Sequence, residues 1–328
     1  MDDSRRVQCQ ICPKQCEIGD GQSGDCRVRI NRGGKLLATT FGRPCTANVD
    51  PIEKKPLHHF LPGTGAFSIA TAGCNLHCKN CQNWQISQAG PLEVEGAPLP
   101  PADVVRQAQM SRCRSIAYTY TDPVVFYEYA VETSKLARAA GIRNVLVTAA
   151  YINPKPLREM CKVVDAANAD LKFMDDKLYA SNCDASLKPV LDALVIFREE
   201  GVWLEVTNLV IPTLNDDDAS FLKLCRWIVD NLGPDVPLHF SRFQPLYQLR
   251  HLPVTPEEAL NRARRVALDC GVRYCYTGNV WGGEGEHTVC PKDQTVLIRR
   301  VGYRIKEYNL TKDGLCPACG EKIPGVWS

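Results

Sequence analysis

No apolar run in this 328-residue chain approaches the length of a bilayer span, and the opening stretch "MDDSRRVQCQ" lacks the apolar core of an export signal. Both absences lead to the expectation of a cytoplasmic protein without membrane contact. Charge of one sign is also missing. The chain has 39 Lys and Arg against 37 Asp and Glu, a net +2, which is too little for a nucleic-acid or anionic-surface footprint. Basic runs interleaved with aromatics are weak, so there is no strong nucleic-acid signal. Neither an internal repeat nor a low-complexity tract occurs. With 45% hydrophobic and 23% charged residues, the composition is that of a soluble globular protein, one large domain with appendages or two domains.

Cysteine, by contrast, is abundant. Seventeen cysteines are too many for a reducing compartment unless metals or redox chemistry use some of them. Ten fall into three clusters: Cys9, Cys12, Cys16 and Cys26; Cys74, Cys78 and Cys81; and Cys290, Cys316 and Cys319. Cys161, Cys225 and Cys270 lie on apolar helix patterns, where a free thiol is a small core hydrophobe.

Short β-branched runs alternate with helical patterns through the middle of the chain. Strands are expected at 67–71, 115–120, 144–149, 169–173, 202–210, 237–243 and 272–277, with helices over 101–112, 124–140, 155–167, 187–200, 217–231 and 256–270. Gly141, Gly201 and Gly271 follow three of these helices as stop residues. Such alternation implies βαβ units and a parallel sheet of α/β class, either a partial barrel or an open doubly wound sheet. In both, ligands belong at the carboxyl ends of the strands. The cysteines of "TAGCNLHCKNCQNW" follow the first strand, at that rim.

Three thiolates are one short of the closed shell of structural zinc. A four-iron cubane tied by three cysteines keeps one iron open for a substrate. The duller reading is a zinc knuckle that borrows His77. C-x3-C-x2-C after the first strand of a βα barrel resembles the radical S-adenosylmethionine (SAM) superfamily. Together with "DPIEKKPLHHFLPG", "IAYTYTDPVVFYEY", "LEVTNLVIPTLND", "HFSRFQP", "YTGNV" and "CPACGEKIPGVW", the chain resembles the radical SAM enzymes of the AmmeMemoRadiSam system. These are relatives of the pyruvate formate-lyase activating enzyme.

The resemblance implies a partial (β/α)6 barrel over 61–283, with a Cys-rich segment at 1–60 and a zinc-ribbon-like segment at 284–328. It implies a [4Fe–4S] cluster on Cys74, Cys78 and Cys81 that cleaves SAM reductively to a 5′-deoxyadenosyl radical. That radical takes hydrogen from a protein glycine, a small molecule or RNA. Thr119, Thr121 and Asp122 become candidates for the SAM amino group, although Asp122 before Pro123 also reads as a turn starter. Asp170 and Lys172, on one face of the fourth strand, could reach ribose or carboxylate, or close the barrel as a buried ion pair. Glu205, Thr207, Asn208 and Ser241 are further rim candidates, and Arg242 suits a bidentate grip on the methionine carboxylate. The position before the third cysteine, aromatic in relatives, is Asn80 here, so adenine falls to Asn80 or to Trp84. The implied partners are a flavodoxin- or ferredoxin-like one-electron reductant and a Memo-like protein.

The outer clusters offer different shells. Cys9, Cys12, Cys16 and Cys26 could close a zinc site or fully ligate an auxiliary iron–sulfur cluster. Zinc is favoured, because this poorly apolar segment needs a staple. Cys316-x2-Cys319 is a zinc-knuckle hook, and its upstream partner pair reads Cys290 and Asp293, with His287 competing as fourth ligand. His58 and His59 read as packing residues. A non-catalytic zinc-binding interaction module and a pure electron-transfer protein remain as rivals to the enzyme.

Overall fold

A computed structural model describes residues 5–328. Seven strands run parallel in chain order: β1 (Gly65–Ala70), β2 (Ser115–Tyr118), β3 (Arg143–Thr148), β4 (Ala166–Asp170), β5 (Trp203–Val210), β6 (Leu238–Arg242) and β7 (Cys275–Gly278). An antiparallel strand, Thr46–Pro51, pairs with the outer edge of β1. It and β7 are the two edges of the eight-stranded sheet, so the barrel is partial. Helices cover the outer face: α1 (Pro101–Met110), α2 (Tyr127–Ala139), α3 (Pro154–Cys161), α4 (Asp176–Cys183), α5 (Leu187–Glu199), α6 (Asp218–Leu232) and α7 (Glu257–Asp269). Gly141, Gly201 and Gly271 take positive φ just past α2, α5 and α7, as stop residues do.

Register divides the strand residues between two solvents. Outward residues such as Ile69, Ile116, Leu146, Leu204, Val206 and Phe240 pack on the helices in the main core. Inward, near the amino ends, sit the small Ala66, Ala117, Val145 and Ala166, and the space they leave is plugged by Ile52, Leu57, Phe60 and Leu61. Further toward the carboxyl ends the inner face becomes polar, with Thr119, Asn168, Asp170, Thr207, His239 and Ser241 facing a cavity. The fold thus seals one end with apolar side chains and leaves the other for ligands.

Two local expectations are corrected. The fourth strand is Ala166–Asp170, not 169–173, and the preceding helix ends at Cys161. "AANAD" has no β-branched residue to announce a strand. On its inner face the 53–58 segment crosses close by, and Asn168 Nδ2 donates to Pro56 O at 2.8 Å. The short α4 was not expected. Asp175 caps it by accepting from Leu178 N at 2.9 Å, and Asp184 ends it in the left-handed region.

The flanking segments lean on this frame. Residues 5–45 contribute small antiparallel pairs, Val7–Gln8 with Glu17–Ile18 and Arg29–Arg32 with Lys35–Ala38. After β7 come three antiparallel strands, Thr288–Val289, Val296–Val301 and Arg304–Tyr308. Among the described residues no helix is long and apolar enough to cross a membrane.

Candidate active site and metal centres

The loop after β1 carries Cys74, Cys78 and Cys81 and is tied on several sides. His77 N donates to Cys183 O at 3.0 Å and Lys79 N to Asn182 O at 2.8 Å, so the end of α4 holds the middle of the loop. Asn75 Nδ2 donates to Tyr151 O at 2.8 Å, and Gly73 N to Ile86 O at 2.9 Å. Gly73 has φ +88, and a Cβ there would lie 2.5 Å from Cys26 O, so only glycine lets the N-terminal segment pass this close. Burial pushes the Cys74 thiol well above its usual range, so a proton must leave when a metal binds.

Cys74, Cys78 and Cys81 open onto a cavity of about 470 Å³. Thr119, Thr121, Asp122, Asp170 and Lys172 line it as expected, together with Thr207 and Ser241. Thr121 Oγ1 donates to Thr71 O at 2.9 Å, which couples the end of β2 to the cysteine loop. Asp122 accepts from Val124 N (3.1 Å), Thr148 Oγ1 (3.0 Å) and Ala149 N (2.8 Å). Its carboxylate therefore starts a turn and braces β3, while one edge faces the cavity. Lys172 Nζ lies 2.7 Å from Asp170 Oδ2. Burial pulls the Lys172 ammonium down, but Asp170 together with the Cys78 and Cys183 sulfurs holds it well above its usual range.

Other expected residues face elsewhere. Asn208 is buried with its amide donating to Leu171 O (2.7 Å) and Lys172 O (3.1 Å), outside the cavity. Arg242 Nε donates to Thr255 O at 2.8 Å, also away from it. Alternation along β5 and β6 explains both corrections, since Thr207 and Ser241 take the inner positions. Trp84 is exposed and stacks on Tyr247, leaving Asn80 as the residue that borders the cavity. Asn80 Oδ1 is buried without a hydrogen-bond partner among the described residues. His77 Nε2 pairs with Asp25 at 3.0 Å and its Nδ1 with Gln88 at 2.6 Å, so it does not complete a zinc knuckle with the three cysteines.

Glu205 lies deeper. It accepts from the backbone N of His58 (3.0 Å) and His59 (2.8 Å) and bonds His239 Nε2 at 2.7 Å. Sequence reasoning missed the groups beyond it. Glu53, His58 and His239 line the cavity end remote from the cysteines, with Trp281 and Tyr303 from the C-terminal region. Glu53 Oε2 and His58 Nδ1 are buried and unpaired among the described residues. Burial pushes the His58 pKa well down, so the ring is neutral. The signal was the charged and imidazole-rich "EKKPLHH" immediately before the barrel.

The C-terminal thiols converge. Ligand atoms of Cys290, Asp293, Cys316 and Cys319 all lie within 4.8 Å of one another, with Cys290 Sγ 3.6 Å from Cys319 Sγ and Cys316 Sγ 3.5 Å from Asp293 Oδ2. His287 is not part of this set; its Nδ1 accepts from Arg300 N at 3.3 Å. Cys9, Cys12, Cys16 and Cys26 line one small cavity of their own beside the catalytic loop.

The sequence pattern of the Radical SAM superfamily matches residues 68–225, the stretch from β1 into α6 that holds all three cysteines. The chain belongs to the radical SAM superfamily. Within and around it, the chain is 44% identical over 322 residues to the uncharacterized protein MJ0808 of Methanocaldococcus jannaschii, covering 98% of this chain and 96% of that protein. It is 24% identical over 211 residues to the pyruvate formate-lyase-activating enzyme of Clostridium pasteurianum, covering 60% of this chain and 85% of that enzyme. A radical SAM methyltransferase from Sphaerobacter thermophilus shares the fold, with TM-score 0.52 and 16% identity over 67% of this chain and 68% of that one. This radical SAM protein is thus related to glycyl radical activating enzymes, and membership implies a [4Fe–4S] cluster and SAM. The residues present fit both groups. Three soft thiolates suit iron–sulfur ligation. They do not gather within the 4.8 Å that groups ligands around a single ion. Beside them, the unpaired Asn80 oxygen awaits a donor.

Proposed function

We propose that this protein is an activating-enzyme-like radical SAM enzyme of the AmmeMemoRadiSam type, which abstracts hydrogen from a protein glycine. The observation that carries the reading is one continuous cavity with buried, unpaired polar atoms at both ends. Asn80 Oδ1 lies beside the cysteines, and Glu53 Oε2 and His58 Nδ1 lie remote from them. Unpaired buried polar atoms are costly, by about 1–3 kcal/mol each, and are tolerated where a ligand will pair them. Two such ends suit two ligands, a nucleoside near the cysteines and a substrate group beyond it.

Cys74, Cys78 and Cys81 would hold the cluster, which supplies one electron to SAM when bound. The protein's own residues bind and orient. Asn80 Oδ1 accepts from the adenine amine, Thr119, Thr121 and Asp122 meet the methionine amino group, and the Asp170–Lys172 pair reaches ribose and carboxylate. The buried apolar plug of Ile52, Leu57, Phe60 and Leu61 would close the far end of the barrel to water. Glu53 and His58 would meet N–H or O–H groups of the substrate, as a peptide backbone offers. A flavodoxin- or ferredoxin-like protein donates the electron, and a Memo-like protein is the proposed functional partner. Cys290, Asp293, Cys316 and Cys319 would hold zinc, because their spacing matches a tetrahedral shell.

The test is anaerobic reconstitution followed by reduction in the presence of SAM. Release of 5′-deoxyadenosine, and its loss when Cys74, Cys78 and Cys81 become Ala, is the expected result. Deuterium carried from α-deuterated glycine of a candidate protein into 5′-deoxyadenosine would identify the hydrogen donor. A reduced, brown protein that releases none of this nucleoside is an electron carrier, and a colourless one holding only zinc is an interaction module; either defeats the proposal.

A further inference from the structure

The N-terminal thiols differ from the C-terminal set in a way that bears on what they bind. Zinc at about 2.3 Å from each sulfur draws four sulfurs to about 3.8 Å apart and leaves no space between them. The Cys290 set is that tight, with Cys290 Sγ 3.6 Å from Cys319 Sγ and all four ligand atoms within 4.8 Å of one another. Among the described residues, no three of Cys9, Cys12, Cys16 and Cys26 have their sulfurs within 4.8 Å of one another. The trio Cys74, Cys78 and Cys81 shares this wider spacing. Between the four N-terminal cysteines remains a cavity of about 20 Å³, enough for a water-sized sphere at its centre.

A backbone N–H and a buried guanidinium border these sulfurs. Asp25 N donates to Cys16 Sγ at 3.5 Å. Arg29 lines the same cavity and is 4% exposed, and its Nε has no partner among the described residues. Its other two nitrogens are held by Glu128 at 2.9 and 2.7 Å, which fixes the guanidinium in place. A buried, unpaired N–H on a cation indicates an anionic acceptor that has yet to arrive. Sulfide and thiolate of an iron–sulfur cluster provide one, and a cubane accounts for the spacing that zinc does not.

We propose that Cys9, Cys12, Cys16 and Cys26 hold a second, fully ligated [4Fe–4S] cluster, so that zinc is confined to the C-terminal site. The N-terminal segment then owes its fold to iron and sulfide. The cluster would sit directly outside the catalytic loop, whose Asn75 lines the same cavity as the four thiols.

Metal counting on the reconstituted full-length protein tests this. About eight irons per chain are expected, and about four should survive in the Cys74→Ala, Cys78→Ala, Cys81→Ala variant. The surviving cluster, having no open iron, should give an electron paramagnetic resonance signal that SAM does not alter. An iron-free triple variant overturns the proposal, whatever its zinc content. Should that variant fail to fold, the wild-type count decides: about four irons per chain defeats the inference even if the SAM-cleavage reading stands.

Discussion

Asn80 shows how much one residue can decide in this cavity. Its side chain has no internal partner on Oδ1, and it lies one position before the third cluster cysteine. Asn80→Ala should weaken SAM binding about 2- to 10-fold, the worth of one hydrogen bond of about 0.5–1.5 kcal/mol. Titrating SAM against the paramagnetic signal of the reduced protein reads this directly, while iron content stays the same. Unchanged affinity would remove Asn80 from the adenine site. At the same scale, strand parity separates Thr207 from Asn208 and Ser241 from Arg242. Of each adjacent pair only one faces the cavity, and residue type alone had suggested both. His58 packs edge-on against His239 and Tyr276, as expected of a packing residue, and also borders the cavity with one nitrogen left unpaired among the described residues.

Among the elements, one turn of the C-terminal strands borders the cavity although it lies outside the barrel. At the turn between Val296–Val301 and Arg304–Tyr308, Gly302 has φ +58, and a Cβ there would overlap the Trp281 ring at 2.1 Å. That turn and Trp281 both line the cavity, so a metal held by Cys290, Asp293, Cys316 and Cys319 would also bear on its shape. Cys316→Ser is expected to lower zinc from about one per chain to nearly none, to leave iron unchanged and to reduce the melting temperature. Asp293→Cys should keep the zinc, since it restores an all-thiolate shell. Metal analysis beside thermal unfolding distinguishes these outcomes, and zinc that survives Cys316→Ser would place it elsewhere.

At the scale of the whole molecule, His59 joins the closing segment to the barrel. Pro324 O can only accept, so His59 Nδ1 donates to it at 2.6 Å, and Nε2 accepts from Tyr276 OH at 2.6 Å. Tyr276 in turn accepts from Thr288 Oγ1 (2.9 Å), and Thr288 accepts from Arg300 (2.8 Å). Val326 N donates to His59 O at 2.7 Å, which pins the C-terminal end to the same residue. This chain of bonds requires a neutral imidazole. Burial, opposed by Glu205, lowers the His59 pKa from 6.5 to about 4. With the folded value below the unfolded one, the unfolded state takes up protons first as pH falls. Stability therefore drops between pH 6.5 and 4, by about 3 kcal/mol from His59 alone. Denaturant unfolding across that range should show a shallower slope for His59→Gln than for the native chain. Equal slopes would mean that another group carries the acid sensitivity.

The amino-acid sequence by itself determined the βα alternation, the helix stops at glycine and the placement of Cys74, Cys78 and Cys81 at the rim. These rest on local rules, namely periodicity, φ preference and ligand spacing along one short loop. Tertiary structure alone decided the rest. It placed the fourth strand on Ala166–Asp170, where Asn168 ties the crossing 53–58 segment to the inner face. It brought Glu53, His58, Trp281 and Tyr303 into one cavity from opposite ends of the chain. It also set the distances between sulfurs on which the nature of each outer site turns. Such facts depend on which distant segments meet and how closely, and spacing along the chain does not encode a distance across space.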